Sequence, residues 1–213
     1  MSAPRKDEIV RYSPRIRINH WIVAISFVLL ALSGLALFHP AMFWLTGLFG
    51  GGPWTRILHP FIGVFMAAVF FVLGRTMWQD NRMQPRDWLW LKKIEDVANN
   101  REENLPEVGR YNAGQKLLFF TIVACLIGLL LSGIVIWRVY FSAFFSIGVI
   151  RFASLLHALC AFVLICAIIV HIYAAIWVKG SIRAMTRGKV SPGWAWKHHR
   201  AWYREATKGI QHK

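Results

Sequence analysis

The fold of this chain is decided by residues 152–178, which read FASLLHALCAFVLICAIIVHIYAAIWV and contain no charged residue. A helix of about 20 apolar residues crosses the hydrocarbon core of a bilayer, so this stretch is long enough to span. Two histidines, His157 and His171, lie fourteen residues apart within it. That spacing is about 40° short of four full turns, so both imidazoles project from nearly the same face, about 21 Å apart along the axis. Polar rings within lipid need a functional reason, and these two indicate two haem irons stacked across a membrane.

Hydrophobic composition places the rest of the chain in the same class. The 213 residues are 56% hydrophobic, with a mean hydropathy of +0.44, which is typical of membrane proteins. Four windows lack every charged residue. The helix predicted in the first of them breaks at His39-Pro40, because the residue before a proline is pushed out of helical geometry. The sequence predicts an all-α, integral membrane four-helix bundle that forms a single domain over residues 1–213. Its spans are expected at approximately 20–38, 56–77, 115–137 and 151–178, followed by a basic tail at 179–213.

The distribution of basic residues predicts the orientation of these spans. The net charge is +15, and 22 of the 25 Lys and Arg residues lie before span one, from Arg75 to Lys116, or after span four. By the positive-inside rule, both termini and the long loop at 78–113 are cytoplasmic. A nucleic-acid-binding protein would not sort its basic residues across hydrophobic spans in this way, so that class is excluded. The tail is expected to lie on the anionic inner leaflet or to form a docking surface, two interpretations that the sequence leaves open.

Depth along the spans divides the histidines into pairs. His20 opens span one on the cytoplasmic side, at the level of His171, whereas His59 begins span two on the outer side, at the level of His157. Each pair brings imidazoles from two helices, which is the ligand set of a six-coordinate b-type haem. His39 is a second choice for the outer site because it falls in a predicted loop. The tail histidines are expected to be solvated; they are His198, His199 and His212.

Two further features concern cofactor chemistry. The three cysteines all lie within predicted spans and none belongs to a C-x-x-C-H motif, which excludes covalent c-type haem attachment. The segment YNAGQK at 111–116 opens span three at the cytoplasmic level of His171. Asn112 is a good N-cap, and the first N–H groups of a helix have no internal partner. A quinone carbonyl bound there would find hydrogen-bond donors, although an Asn cap before a membrane helix is also ordinary.

Longer strings of the sequence resemble the cytochrome b (gamma) subunit of respiratory, membrane-bound formate dehydrogenases, over nearly the whole chain. They are RINHW at 17–21, RILHPF at 56–61, GRYNAGQK at 109–116, HIY at 171–173, WVKG at 177–180 and KHHRAWYRE at 197–205. The family pattern usually has a proline where this tail has Arg200, and His39 is not part of that pattern. Neither departure touches a residue expected to bind a cofactor.

The resemblance implies a function and a set of sites. In that family the inner haem is held by residues matching His20 and His171, and the outer haem by those matching His59 and His157. The quinone site, for menaquinone or ubiquinone, matches Asn112, Gly114 and His171. The chain would be the electron-transfer and quinone-reducing subunit of the enzyme, without catalytic residues for formate. Its partners would be an iron–sulfur (beta) subunit and a molybdenum- or tungsten-pterin (alpha) subunit at the bacterial inner membrane.

Two other functions remain as alternatives. A di-haem cytochrome b of a nickel–iron hydrogenase, or of another quinone-linked oxidoreductase, shares the histidine pattern but differs in the 111–116 segment and the tail. A small transporter or metal permease typically places acidic residues or broken helices at the midplane. The four spans here contain no Asp or Glu, and their histidines lie near the edges, so this class is disfavoured.

Overall fold

The computed structural model describes residues 8–99, 101 and 104–208, and most of these are helical. Two 3-10 helices, Pro40–Phe49 and Ser142–Phe144, lie in the connections between long helices. In chain order the other elements are β1 (Ile9–Val10), α1 (Pro14–Phe38), α2 (Gly52–Met77), α3 (Pro85–Lys92), α4 (Ile94–Ala98), α5 (Ala113–Ile136), α6 (Ile147–Trp177), α7 (Ser181–Arg187), β2 (Lys189–Val190), α8 (Pro192–His198) and α9 (Arg200–Thr207).

The four long helices α1, α2, α5 and α6 confirm the four predicted spans. They contain 25, 26, 24 and 31 residues, and each is apolar enough to cross a membrane. At 1.5 Å per residue they are about 36 to 46 Å long, which exceeds a hydrocarbon core of about 30 Å. The predicted starts were two to six residues late, because basic residues such as Arg15, Arg56 and Arg151 were taken as limits. The structure places all three inside helices, since a charge near a helix end can reach the headgroup region.

The described residues form two compact units, which we call the helix unit and the terminal unit. The helix unit comprises Ile18–Arg75 and Thr121–His171, and the terminal unit comprises the described parts of Met1–Arg17, Thr76–Phe120 and Ile172–Lys213. All four long helices contribute residues to the helix unit. The expectation of one membrane domain over the whole chain stays a prediction.

Packing in the helix unit is that of a membrane bundle. Its buried centre is formed by Met66 of α2, Cys125 and Leu126 of α5 and Leu164 of α6, with α1 side chains packed against them. Large apolar side chains cover the outside: Leu155 on α6, for example, is 70% exposed. Such a surface is costly in water and favourable in lipid, so the helix unit is the membrane-embedded part of the protein.

The connection between α1 and α2 is more ordered than the sequence indicates. Its apolar residues form the 3-10 helix Pro40–Phe49, where we expected a loop. The Nδ1 atom of His39 accepts a hydrogen bond from the Ala41 amide at 3.2 Å, so this histidine caps the helix start. Gly50 and Gly51 then adopt positive φ angles of 86° and 96°, which turn the chain into α2 at low steric cost.

The basic tail is folded into the terminal unit. Its first strand, β2, pairs antiparallel with β1, with Ile9 opposite Val190. Gly188 precedes β2 with a φ of 80°, and a Cβ there would lie 2.6 Å from the Tyr12 carbonyl oxygen, so only glycine fits this approach. A buried cluster joins the strands to the tail helices; it contains Ala184, Val190, Ala195 and Trp202. The tail is therefore a packed structure rather than an extended segment.

His199 lies at the centre of this unit, and its expected solvation was wrong. The residue is 2% exposed, and its Nδ1 lies 2.8 Å from the Gly109 carbonyl oxygen. Its Nε2 lies 3.2 Å from a guanidinium nitrogen of Arg11, whose guanidinium carbon is 4.7 Å from the Trp202 ring. Burial, followed by the charge of Arg11, holds the pKa of His199 well below its ordinary value. His198 is only partly buried, and His212 lies outside the described residues.

Candidate functional site

The outer-site histidines face each other in the helix unit. His59 lies in the third turn of α2 and His157 in α6, and their ring centroids are 6.3 Å apart with an angle of 62° between the ring planes. These are the two residues that the sequence pairs at the outer level. Two different helices therefore direct imidazoles toward a common centre.

The inner-site histidines form a second pair with nearly the same geometry. His20 lies in α1 and His171 near the end of α6, with ring centroids 6.4 Å apart and an angle of 53° between the ring planes. The Nδ1 atom of His20 is buried and has no hydrogen-bond partner among the described residues. Since α6 supplies one member of each pair, fourteen residues of helix separate the two sites by about 21 Å.

The distances within each pair fit an iron held between two axial imidazoles. An imidazole nitrogen binds a first-row metal ion at about 2.0 Å, and the ring centroid lies about 1.1 Å behind that nitrogen. Two rings on one iron therefore have centroids about 6.2 Å apart, close to the observed 6.3 and 6.4 Å. Two imidazoles supply only the axial ligands, and a tetrapyrrole supplies the four equatorial ones. Both pairs have the donor set and the separation that a b-type haem requires.

Two serines contact the outer pair, and the sequence reasoning missed both. Ser33 Oγ lies 2.8 Å from Nδ1 of His59, and Ser132 Oγ lies 3.0 Å from Nδ1 of His157. Each serine is followed by a glycine: a Cβ on Gly34 would lie 3.3 Å from Cε1 of His59. Gly133 has the same relation to His157, at 3.4 Å. The sequence pattern that could have indicated these serines is the Leu-Ser-Gly triplet, which occurs at 32–34 and again at 131–133.

The predicted quinone residues Asn112 and Gly114 lie in the terminal unit, at the start of α5. Asn112 Oδ1 accepts a hydrogen bond from the Gln115 amide at 2.8 Å, and Gln115 Oε1 accepts one from the Asn112 amide at 3.0 Å. This reciprocal cap uses the oxygen of the Asn112 side chain and leaves its NH₂ group outside the cap. A Cβ on Gly114 would lie 3.4 Å from the Trp90 ring, so glycine allows that ring to approach the helix. His171 belongs to the helix unit, and a shared site with Asn112 and Gly114 stays a prediction.

A polar cavity of about 400 Å³ lies in the terminal unit, beside the first turn of α5. Its walls include the charged side chains of Asp80, Arg86, Arg110 and Lys116. The Lys116 ammonium is 2.7 Å from a carboxylate oxygen of Asp87, and both side chains are buried. A lining of this polarity suits water better than an apolar ring, because buried charges need partners that solvate them.

Comparison with known proteins adds independent information on the class of this chain. The sequence profile of the family described as prokaryotic cytochrome b561 matches residues 11–188. The chain is 48% identical over 209 residues to the formate dehydrogenase cytochrome b556(fdo) subunit of Escherichia coli K12, and the match covers 98% of each protein. It is 45% identical over 201 residues to the nitrate-inducible cytochrome b556(Fdn) subunit of the same strain, covering 94% of this chain and 92% of that subunit.

A third relative is more distant and from another organism. The formate dehydrogenase cytochrome b556 subunit of Haemophilus influenzae is 43% identical over 197 residues, covering 92% of this chain and 83% of that subunit. The apolar helices and the profile match define the class as an integral membrane cytochrome b of the prokaryotic cytochrome b561 family, whose cofactor is haem b. Within that class, the chain belongs to the formate dehydrogenase cytochrome b556 subunits. The resemblance noted in the sequence is thereby confirmed.

Proposed function

We propose that this chain is the di-haem membrane subunit of a formate dehydrogenase and that it carries electrons across the membrane to reduce a quinone. The observation that carries the proposal is the pair of facing imidazole couples, with ring centroids 6.3 and 6.4 Å apart. His59 and His157 hold the outer haem, and His20 and His171 hold the inner one. When bound, the two haems supply one-electron carriers at two depths of the membrane.

The remaining parts of the protein serve this transfer. The apolar helices exclude water from both imidazole pairs, so bound haems would be separated from aqueous protons. Both termini and residues 78–113 face the cytoplasm, as the placement of 22 of the 25 basic residues supports. The outer pair then faces the side from which the iron–sulfur and pterin subunits deliver electrons from formate. In bacteria this membrane is the inner membrane.

Quinone reduction takes place at the cytoplasmic end of the chain. Asn112 offers its side-chain NH₂ and Gly114 its backbone N–H, which lie at the start of α5 and outside the reciprocal cap between Asn112 and Gln115. His171 contributes from the inner haem pair, and the polar cavity beside Lys116 supplies water for protons. Each electron that moves inward against 100 mV stores about 2.3 kcal/mol as membrane potential. Menaquinone or ubiquinone fits this chemistry equally well.

The haem count of the purified complex tests the proposal. A pyridine haemochrome assay should give about two b haems per chain for the parent. His20→Ala and His157→Ala should each lose one haem, and redox titration should show that a different one is lost in each variant. A single haem in the parent, or loss of both haems in both variants, contradicts the two-pair arrangement.

The identity of the partners needs a separate measurement. The tagged chain should copurify with an iron–sulfur subunit and a pterin-containing subunit from solubilised membranes. Copurification with a nickel–iron subunit would instead favour the hydrogenase alternative. The relatives support the first outcome, since all three described above are named as formate dehydrogenase subunits.

A further inference from the structure

The outer imidazole pair is supported by the same two-residue device on two different helices. Ser33-Gly34 lies on α1 and approaches His59 of α2, while Ser132-Gly133 lies on α5 and approaches His157 of α6. In each case the serine hydroxyl meets Nδ1 and the glycine faces Cε1. The same Ser-Gly contact with a histidine therefore occurs in two separate helix pairs, which indicates a function beyond packing.

Hydrogen-bond donors and acceptors determine the tautomer of both rings. Ser33 Oγ donates its hydrogen to the carbonyl of the residue four positions earlier, at 2.8 Å, and Ser132 Oγ does the same at 2.5 Å. A hydroxyl has one hydrogen, so each Oγ can only accept from the adjacent imidazole. Nδ1 therefore carries the proton in His59 and His157, and Nε2 keeps its lone pair for the iron.

The buried position of these hydroxyls makes the contacts effective. Ser33 is 0% exposed and Ser132 is 3% exposed, so water does not compete for the two Nδ1–H groups. An acceptor on Nδ1–H makes an imidazole a stronger electron donor to its metal, and second-shell hydrogen bonds of this kind lower the potential of a bound iron.

The inner pair lacks this support at His20. Its buried Nδ1 has no hydrogen-bond partner among the described residues. The two haem sites therefore share the same pair of imidazole ligands but differ in the hydrogen-bond acceptors at Nδ1. The serine acceptors lower the reduction potential of the outer site relative to the inner site, and this order of potentials favours electron transfer from the outer site to the inner one.

We propose that Ser33 and Ser132 are positioning residues that fix His59 and His157 in the Nδ1–H tautomer and keep the outer haem at a lower potential than the inner haem. This inference rests on the proposed function, because it takes the four histidines as haem ligands. With a haem bound, Nε2 of each histidine would hold the iron and Nδ1 would keep its proton, so electron transfer would need no bond to form or break in these residues.

Single substitutions in the intact complex test this role. Ser33→Ala should keep two haems per chain, shift the midpoint potential of the outer haem to a more positive value and change the low-spin ferric signal in electron paramagnetic resonance. Ser132→Ala should shift the same potential in the same direction, because it removes the acceptor beside Nδ1 of His157. Ser33→Thr keeps the hydroxyl and should restore the parental potential. The potential of the inner haem should be unchanged in all three variants.

Ser154→Ala is the matched control. Ser154 lies on α6, the helix of His157. Its hydroxyl likewise donates to the carbonyl four residues earlier, at 2.9 Å, but the residue is exposed. This variant should leave both potentials and the resonance signal as in the parent. Parental values in Ser33→Ala and Ser132→Ala, or an equal shift in Ser154→Ala, would overturn the inference.

Haem counts separate a failure of this inference from a failure of the proposed function. If His59→Ala keeps both haems, the ligand assignment itself is wrong. If His59→Ala loses one haem while the serine variants match the parent, only the role of the serines is wrong. Should Ser33→Ala lose the outer haem entirely, Ser33→Thr decides: full occupancy at the parental potential supports the role of the hydroxyl, and loss of the haem contradicts it.

Discussion

At the scale of single residues, two of the buried hydrogen-bond networks in the described part of the protein have different purposes. Ser33 and Ser132 are hydrogen-bonded on both sides, to a backbone carbonyl and to an imidazole. His199 is equally enclosed, between the Gly109 carbonyl and the Arg11 guanidinium. Because an unsatisfied buried polar group costs about 1–3 kcal/mol, such complete networks hold their members in one arrangement. The first network supports a cofactor site, and the second holds the terminal unit together.

The burial of His199 makes the terminal unit sensitive to acid. Its pKa in the folded protein lies well below the ordinary value of 6.5, chiefly through burial and then through the charge of Arg11. The unfolded unit therefore binds the proton more readily, so the stabilisation is fully present above about pH 6.5 and is lost as the pH falls below that value. We expect the opening free energy of α9 to fall by up to about 1.4 kcal/mol per pH unit between pH 6.5 and 5. Hydrogen exchange of the amides in residues 200–207, corrected for intrinsic exchange rates, measures this opening free energy as a function of pH.

A substitution of the same side chain provides the control. The glutamine in His199→Gln cannot take up a proton. The opening free energy of α9 in this variant should therefore be lower than in the parent at pH 7.5 and nearly constant down to pH 5. A parental pH profile in His199→Gln would assign the acid sensitivity to another group.

Single residues differ in how far the sequence predicts them. The helical repeat alone places His157 and His171 on one face of α6. Depth in the membrane then predicts that His20 pairs with His171 and His59 with His157. The serines were not predicted, because a hydroxyl at an ordinary helix position carries no periodic signal and its contact depends on the neighbouring helix. His199 was wrongly taken as solvated, since a basic, polar segment hides the burial that Trp202 and Arg11 create around it.

At the scale of helices and strands, the length and apolarity of the sequence segments were sufficient to predict the four spans but not to predict the elements of the tail. The ends of α1 and α2 agree with prediction at Phe38 and Met77, where a proline or a polar stretch follows. The short helices α7, α8 and α9 have seven or eight residues each, too few for a clear hydrophobic period. Strands β1 and β2 have two residues each, and their pairing is between distant parts of the chain. Tertiary contacts alone determine such elements.

Close packing of α5 against α6 depends on a glycine. A Cβ on Gly128 would lie 2.7 Å from Sγ of Cys160, well inside van der Waals contact. Gly128→Ala should therefore destabilise the helix unit by about 1–3 kcal/mol, as overpacking of a close-packed core does. Thermal unfolding in detergent, followed by helical circular dichroism, should show a Tm several degrees below that of the parent.

Two further variants test the cause of that loss. Removing the sulfur in the double variant Gly128→Ala/Cys160→Ala relieves the clash and should recover most of the Tm. Gly63→Ala is the matched glycine control, because the nearest heavy atom to its Cβ is a Leu30 methyl carbon at 3.8 Å. A Tm loss in Gly63→Ala as large as in Gly128→Ala would point to a general cost of alanine in these helices rather than to one contact.

At the scale of the whole molecule, charge and hydropathy predict the membrane class well. The basic residues predict cytoplasmic termini, and the family match agrees with an integral membrane cytochrome b. The division into a helix unit and a terminal unit was not predicted. It could not be, since the described residues of 8–17, 76–120 and 172–208 meet in space although these segments are far apart in the chain. The long strings shared with the family, such as GRYNAGQK at 109–116, were the more specific guide to function.

In our proposal the path of electrons through the molecule ends at a quinone bound by Asn112. The hydrogen bond from the Asn112 side chain to the quinone can be tested separately from its role as a helix cap. Asn112→Ser keeps an oxygen that can cap α5 but removes the NH₂ donor, so the helix start should persist while a quinone carbonyl loses one hydrogen bond. The loss of a hydrogen bond worth about 1–1.5 kcal/mol corresponds to roughly a tenfold fall in kcat/KM for quinone. Both haems should still be reduced by formate, because the step upstream of the quinone is untouched. Gln115→Ala is the matched control: it removes the reciprocal bond to the Asn112 amide without altering the Asn112 side chain, and its quinone turnover should stay near that of the parent. Unchanged kcat/KM in Asn112→Ser would exclude Asn112 from the quinone site. Haems that formate no longer reduces would contradict the prediction by showing that the substitution acts before the quinone step.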